Sequence, residues 1–122
     1  MNWVEKINGV ISYIEDNILE DIDISIPAKN LYCSKYEFQR IFSFIVEIPV
    51  FEYIQKRRLT LAGYDIQNSE EKIIDIALKY GYESHSSFSR SFKNFHGITP
   101  SEARSNPKQP IKIYPCFSLF IN

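Results

Sequence analysis

The sequence contains one residue pattern twice, fifty positions apart. Aligned with itself at that offset, the chain pairs Ser34 with Ser84, Phe38 with Phe88, Arg40 with Arg90, Phe42 with Phe92, and Ile45 with Phe95. In each copy a serine suited to capping a helix precedes aromatic residues spaced four apart, which places those residues on one helical face. The duplication restricts the fold to one in which a helical unit occurs twice.

A short segment with an alanine and, four residues later, a turn residue precedes each copy. The alanine and the turn residue are Ala28 and Tyr32 before the first copy, and Ala77 and Gly81 before the second. Alanine lets a second helix approach closely, and glycine readily adopts the left-handed backbone conformation that bends a chain sharply. A short helix, a sharp turn and a second helix with an apolar face predict a helix-turn-helix unit in each half.

Helical periodicity also describes most of the remaining chain. Apolar residues recur every three or four positions from Trp3 to Ile18, and Pro49 is suited to open a longer helix. The core-facing side of that longer helix is predicted to carry Phe51, Ile54, Leu59, Leu61 and Ala62. We therefore predict an all-α fold of about seven helices: a first helix-turn-helix subdomain (1–48), a linker helix (49–66), a second subdomain (67–104), and a short tail (105–122).

Charge is distributed unevenly along the chain. The formal net charge is −1 and the isoelectric point about 6.1, which argues against non-specific binding of polyanions. Residues 1–25 hold one basic and six acidic residues, a net of −5, which leaves +4 for residues 26–122. Anionic partners are therefore expected at the second region.

Two cysteines, Cys33 and Cys116, match no metal-ligand or redox spacing and are predicted to be buried, reduced thiols. No apolar run is long enough to span a membrane, and the N-terminal residues lack a signal-peptide core. These features favour a cytoplasmic location.

The face opposite the phenylalanines is polar in both copies. It carries serines, basic residues and one arginine per copy, side chains that fit a major groove about 12 Å wide. An arginine that forms a bidentate pair with guanine contributes roughly 1–3 kcal/mol of discrimination between bases. Two such helices joined by a linker helix could enter successive major grooves about 34 Å apart.

Three stretches resemble the AraC/XylS family of transcription regulators. IIDIALKYGYESHSSFSRSFKNFHGITPSEAR (73–104) is similar to the family's second helix-turn-helix unit, YIQKRRLTLA (53–62) to its linker helix, and SKYEFQRIF (34–42) to its first recognition helix. The resemblance covers about residues 5–104. It implies a module that binds double-stranded DNA at promoters and acts together with RNA polymerase.

The resemblance also implies roles for individual residues. Base contacts are expected from the first turns of the two recognition helices: Tyr36, Gln39, Arg40, His85, Ser86, Ser87 and Arg90. Phosphate contacts are expected from Ser34, Lys35, Lys56, Arg57, Arg58, Ser84, Ser89 and Lys93. Departures from the family pattern fall mainly in the first unit: Tyr32 and Glu47 replace glycines, Pro27 replaces leucine, and Pro49-Val50 replaces Ser-Pro.

The tail alternates apolar with smaller or polar residues. Ile111, Ile113, Phe117, Leu119 and Ile121 follow the periodicity of a β-strand, and a lone strand must pair with a partner. By resemblance, the tail could begin a C-terminal effector-binding domain. A short protein that dimerises through this strand is the alternative.

The two histidines and one apolar stretch bear on functions other than DNA binding. His85 lies among serines, but the chain has neither a GxSxG motif nor a carboxylate placed to orient the ring, so we expect no enzymatic activity. His96 is predicted to be a surface residue without metal-ligand spacing, and we expect neither metal nor cofactor. The apolar stretch FSFIVEIPVF (42–51) leaves open a protein-interaction module on the same scaffold.

Overall fold

The computed structural model describes residues 2–118 and contains seven helices within them. They are α1 (Trp3–Asp16), α2 (Ser25–Asn30), α3 (Lys35–Val46), α4 (Val50–Asn68), α5 (Ile73–Lys79), α6 (His85–His96) and α7 (Pro100–Ser105). No strand occurs among the described residues. The predicted all-α fold is therefore confirmed, and no helix in this part of the chain is long and apolar enough to cross a bilayer.

The chain divides into two compact units within α4. The first unit comprises Met1–Gln55 with Pro115–Asn122, and the second comprises Lys56–Tyr114. The first unit therefore contains α1, α2 and α3, and the second contains α5, α6 and α7. Each unit thus holds one copy of the sequence repeat.

The core of the first unit contains buried apolar residues of α1, α3 and α4. Ile7 and Ile14 of α1 are buried, as are Phe38 and Phe42 of α3. The ring of Phe42 lies 5.7 Å from that of Tyr53, in an edge-to-face arrangement that favours aromatic pairs. Burial of Phe38 and Phe42 leaves the opposite side of α3 for solvent.

The core of the second unit forms around the phenylalanines of α6. Phe88 and Phe92 are fully buried against Ile76 and Ala77 of α5. Alanine at position 77 permits the close approach of α5 and α6, as the sequence predicted. The predicted apolar face of α6 is confirmed for these two residues, whereas Phe95 is only partly buried.

The backbone repeats the same turns in the two units. In the turn between α2 and α3, Tyr32 has φ 56°, and in the turn between α5 and α6, Gly81 has φ 87°. After the second helix of each pair, Glu47 has φ 74° and Gly97 has φ 82°. The first unit thus holds two non-glycine residues in the left-handed region, where L-residues other than glycine are strained by roughly 1–2 kcal/mol.

Matching hydrogen bonds close the two turns. The amide of Cys33 donates to Ala28 O at 3.1 Å, and the amide of Tyr82 donates to Ala77 O at 3.0 Å. These bonds satisfy carbonyl groups at the end of each first helix. The repeat in the sequence is therefore a repeat of backbone geometry, and the helix-turn-helix prediction is confirmed in both units.

The predicted strand in the tail is wrong over residues 111–118, which have no regular secondary structure. Their backbone hydrogen bonds go to side chains instead of another strand. In the second unit Tyr114 N donates to Thr60 Oγ1 at 2.9 Å, and in the first unit Phe117 N donates to the Tyr53 hydroxyl at 3.0 Å. The positions Leu119 and Ile121 lie outside the described residues.

Burial differs from the prediction at several other positions. Phe51 is 56% exposed, because α4 buries Val50, Tyr53 and Ile54 and turns Phe51 away from them. Both cysteines are free thiols, but Cys33 is half-buried and Cys116 is exposed. Cys116 is exposed although its Sγ accepts a hydrogen bond from the Tyr53 hydroxyl at 3.8 Å.

Candidate nucleic-acid interface

The polar edge of α3 is built on a firmly capped helix start. The Ser34 hydroxyl accepts from Glu37 N at 3.1 Å, and the Glu37 carboxylate accepts from Ser34 N at 3.2 Å. This reciprocal capping box fixes the first turn of the helix. Tyr36 and Arg40 are exposed on the edge, and the Arg40 guanidinium lies 5.7 Å from the centre of the Tyr36 ring. The cation–π contact pre-orders the arginine beside the tyrosine.

A groove of about 1170 Å³ adjoins this edge within the first unit. Its lining combines Trp3 of α1 with polar-edge residues and with Phe44 and Ile45 near the end of α3. Gln39, the third predicted base contact of this helix, is half-buried and also lines the groove. Phe44 is 86% exposed, which is unusual for a phenylalanine and marks this end of α3 as a surface suited to a contact.

The polar edge of α6 also starts at a serine cap. The Ser84 hydroxyl accepts from Ser87 N at 3.1 Å, and the Ser87 hydroxyl donates to Ser84 O at 3.1 Å. His85 and Ser86 are exposed in the first turn, and Arg90 is exposed one turn later. Five of the seven predicted base-contact residues are therefore exposed, whereas Gln39 and Ser87 are half-buried.

A contact within the first turns of α6 positions His85. Ser89 Oγ lies 3.3 Å from His85 Nδ1, one helical turn away. The hydrogen bond ties a predicted phosphate contact to a predicted base contact. The other ring nitrogen of His85, Nε2, points away from Ser89, because the two nitrogens lie on different sides of the imidazole.

The basic residues predicted to contact phosphate occupy different environments. Lys35 and Lys93 are exposed. Lys56 is half-buried, with its Nζ 5.5 Å from the Phe95 ring and 5.9 Å from the Tyr114 ring. Arg58 is also half-buried, with one guanidinium nitrogen beside Gly81.

Arg57 is held inside the second unit. It is only 9% exposed, and its Nη1 donates to Tyr114 O at 2.6 Å. A guanidinium bonded to a backbone carbonyl in this way secures the tail to α4. This placement argues against Arg57 as a phosphate contact.

His96 was predicted at the surface and is instead half-buried between α4 and the tail. Its Nε2 lies 2.7 Å from Leu59 O, and its Nδ1 accepts from Lys112 N at 3.0 Å. Burial lowers the pKa of His96, the hydrogen bond to Leu59 partly opposes that shift, and the charge of Lys112 adds to it. The sequence gives no direct signal of these partners, because both lie far from His96 along the chain.

An ionic cluster stabilises the second unit between α4 and α5. Lys79 Nζ lies 2.8 Å from Asp65 Oδ2, and the Tyr80 hydroxyl donates to the same carboxylate at 2.7 Å. The hydrogen bond to Asp65 raises the pKa of Lys79. Residues 2–118 contain no group of three or more histidine, cysteine or acidic residues able to hold a metal ion.

A family model described as a helix-turn-helix domain matches residues 28–106. The regulatory protein SoxS of Salmonella typhimurium is 36% identical over 104 residues, which are 85% of this chain and 97% of that protein. A crystal structure from Chromobacterium violaceum, described as a transcriptional regulator with an AraC-type DNA-binding domain, has a TM-score of 0.77 and 28% identity. It covers 87% of this chain and 95% of its own. The chain belongs to the AraC family of transcription regulators.

Another relative also matches more than three quarters of this chain. The HTH-type transcriptional activator AarP of Providencia stuartii is 37% identical over 95 residues, which are 78% of this chain and 70% of that protein. The family match spans both helix-turn-helix units, so membership in the AraC family extends to the first unit with its non-glycine turn residues.

Proposed function

We propose that this AraC-family chain is a transcription regulator that binds double-stranded DNA in a sequence-specific manner through α3 and α6. The observation that carries the proposal is the shared design of these helices. Each buries two phenylalanines and exposes a polar edge with an arginine two residues after the first of them. A recognition helix needs this division between a braced face and a face for base edges.

Within this proposal, the polar edges read base sequence. On α3 the base contacts are Tyr36, Gln39 and Arg40, and on α6 they are His85, Ser86, Ser87 and Arg90. The arginines suit the paired acceptors of guanine, and Gln39 suits the donor and acceptor of adenine. The order of the Arg40 side chain over Tyr36 supports its role, because less rotational freedom is lost on binding.

Phosphate contacts would come from the helix starts and from exposed cations. Ser34 and Ser84 begin α3 and α6, where free backbone amides favour anions. Lys35 and Lys93 are exposed on those helices, and Lys56, Arg58 and Ser89 are additional candidates. Such contacts determine affinity and its dependence on salt, but not the choice of sequence.

A selected-duplex experiment tests the assignment. Duplexes bound by the wild-type chain are selected from a random pool, and affinities for a selected and a scrambled duplex are then measured by fluorescence anisotropy. We expect Arg90→Ala to reduce the affinity ratio between the two duplexes by about 5- to 150-fold, since a bidentate contact contributes roughly 1–3 kcal/mol. An Arg90→Ala variant with an unchanged ratio would contradict base contact by α6.

Lys93→Ala and Lys108→Ala form a matched pair for the phosphate contacts. Both lysines are exposed, but only Lys93 belongs to a recognition helix. We expect Lys93→Ala to weaken binding to both duplexes equally and to reduce the slope of log affinity against log salt by about 0.9. Lys108→Ala should leave the slope unchanged, and equal effects of the two variants would refute the assignment of Lys93.

We also propose that the chain acts at promoters in the cytoplasm by contacting RNA polymerase. The description of the relative AarP as a transcriptional activator supports this mode of regulation. The exposed Phe44 in the groove of the first unit supports a protein contact there as a second candidate function. Binding that survives high salt would favour this apolar contact, because DNA binding weakens steeply with salt.

A further inference from the structure

Residues 109–114 are attached to the second unit by their backbone, and we call them the strap. Hydrogen bonds that hold it include Gln67 Nε2 to Gln109 O (2.8 Å), Lys112 N to His96 Nδ1 (3.0 Å), Tyr114 N to Thr60 Oγ1 (2.9 Å), and Arg57 Nη1 to Tyr114 O (2.6 Å). A segment without secondary structure is ordered only where its polar backbone groups find such partners. The strap is therefore part of the second unit's fold.

The strap also fills a space that Gly63 leaves open. A Cβ atom at Gly63 would lie 2.8 Å from Ile111 Cδ1 and 2.8 Å from His96 Nε2. The strap isoleucine and the His96 ring therefore pack side by side against the glycine of α4. Release of the strap would uncover this part of α4.

The partners of His96 require the neutral ring. Leu59 O is an acceptor, so Nε2 carries the proton, and Lys112 N is a donor, so Nδ1 presents its lone pair. A proton added at Nδ1 turns that atom into a second donor. The Lys112 amide would then face an N–H group, and the hydrogen bond between strap and α6 would be lost.

Cations and aromatic rings surround His96. Lys112 of the strap and Lys56 of α4 place their Nζ atoms 5.4 Å and 5.5 Å from the Phe95 ring, which is itself 4.7 Å from the His96 ring. The centre of the Phe92 ring also lies 4.3 Å from the centre of the His96 ring. Lys93 and His96 are both in the last turn of α6. A positive charge on His96 would thus be added next to other positive charges.

We propose that His96 is a proton-sensitive clasp for the strap. Uptake of one proton at Nδ1 removes the acceptor of the Lys112 amide and loosens the strap around Lys112, while the bonds to Gln67, Thr60 and Arg57 remain. The clasp is a conformational device that goes beyond the proposed DNA binding and does not depend on it.

The direction of the pH dependence follows from the environment of the ring. The unfolded chain binds a proton at His96 with a pKa near 6.5, and burial lowers the pKa of His96 in the folded unit. Between these two values the folded unit binds fewer protons than the unfolded one, so stability falls as the pH falls. The Lys112 bond is therefore intact at neutral pH and is lost only as the pH falls through the lowered pKa of His96, below 6.5.

Amide hydrogen exchange measured by NMR tests the clasp in the full chain. Rates are corrected for the intrinsic pH dependence and followed from pH 8 to pH 5. We expect the protection of the Lys112 amide to fall about tenfold or more, while that of Phe92 in the core of α6 changes little. The midpoint should coincide with the titration of the His96 ring protons.

The two histidines of the chain provide a matched control. His96→Gln keeps a side-chain amide that does not titrate, and we expect it to abolish the pH dependence of strap protection. His85→Gln should leave that dependence as in the wild type, because His85 contacts Ser89 and not the strap. If His96→Gln does not fold, the wild type alone decides, through the comparison of the midpoint of strap protection with the midpoint of the His96 titration. The proposal is overturned if these midpoints differ, if the protection of the Lys112 amide stays constant, or if it falls together with that of Phe92.

Discussion

Substitution of Gly63 by alanine should destabilise the second unit, although alanine is the better helix former. Gly63 lies in the interior of α4, where alanine alone would gain about 0.5–1 kcal/mol. The added Cβ would approach His96 Nε2 and Ile111 Cδ1 to 2.8 Å, and His96 Cε1 to 2.9 Å. Such contacts are closer than van der Waals packing allows, so both side chains must move.

The magnitude follows from what His96 would lose by moving. Its ring is bonded at both nitrogens, so a shift weakens the bonds to Leu59 O and Lys112 N, each of which contributes roughly 0.5–1.5 kcal/mol. Overpacking itself costs about 1–3 kcal/mol. After the gain in helix propensity is subtracted, Gly63→Ala should lower the free energy of unfolding by about 2 kcal/mol. For a second unit that unfolds as one domain of about 60 residues, this corresponds to a fall in Tm of about 8–16 °C.

Gly9 provides the matched control, because it is also in a helix but no atom lies within 4 Å of an added Cβ. Thermal unfolding followed by circular dichroism should show Gly9→Ala equal to or slightly more stable than the wild type, and Gly63→Ala less stable. In the His96→Ala background, Gly63→Ala should lose most of its penalty, as expected for two residues in contact. A Gly63→Ala variant as stable as the wild type would refute this account of the close approach.

Three further changes test other parts of the structure. Tyr32→Gly should stabilise the first unit by about 0.5–1 kcal/mol in urea unfolding, because Tyr32 has positive φ and its side chain is 95% exposed; a loss of stability would contradict strain at this turn. Ser84→Ala should cost about 1 kcal/mol by removing the cap of α6, measured as faster amide exchange of Ser87; unchanged exchange would show that the cap is dispensable. Tyr53→Phe should cost about 1 kcal/mol, because the Phe117 amide loses its acceptor; unchanged exchange at Phe117 would contradict that bond.

The helical architecture was predictable because its causes are local. Serine caps, phenylalanines four residues apart and glycine at position 81 are all visible within a few residues of one another, and the structure confirms the helices that they predict. The helix-turn-helix units follow from the repeat for the same reason. Even the first unit, with Tyr32 at the turn, keeps this backbone geometry.

The local pattern predicted a polar edge on α3 and on α6, and most residues of both edges are exposed. The individual site residues were implied by the family resemblance. The pattern did not distinguish Arg57 from its neighbours Lys56 and Arg58. In an α-helix, adjacent residues point about 100° apart, so a basic cluster on a linker helix cannot face one surface. Burial against Tyr114 separates Arg57 from the other two.

The helices, the repeat and the two faces of each recognition helix could be predicted from the amino-acid sequence alone. Helix formation and the division into faces depend on contacts within a few residues and on hydrophobic periodicity. The positions of the tail and of His96 depend on the folded arrangement, because both are bonded to residues far away in the chain. Alternating apolar residues predicted a strand, but hydrogen-bonding groups of Thr60 and His96 were available to the tail backbone, and a backbone satisfied by side chains needs no neighbouring strand.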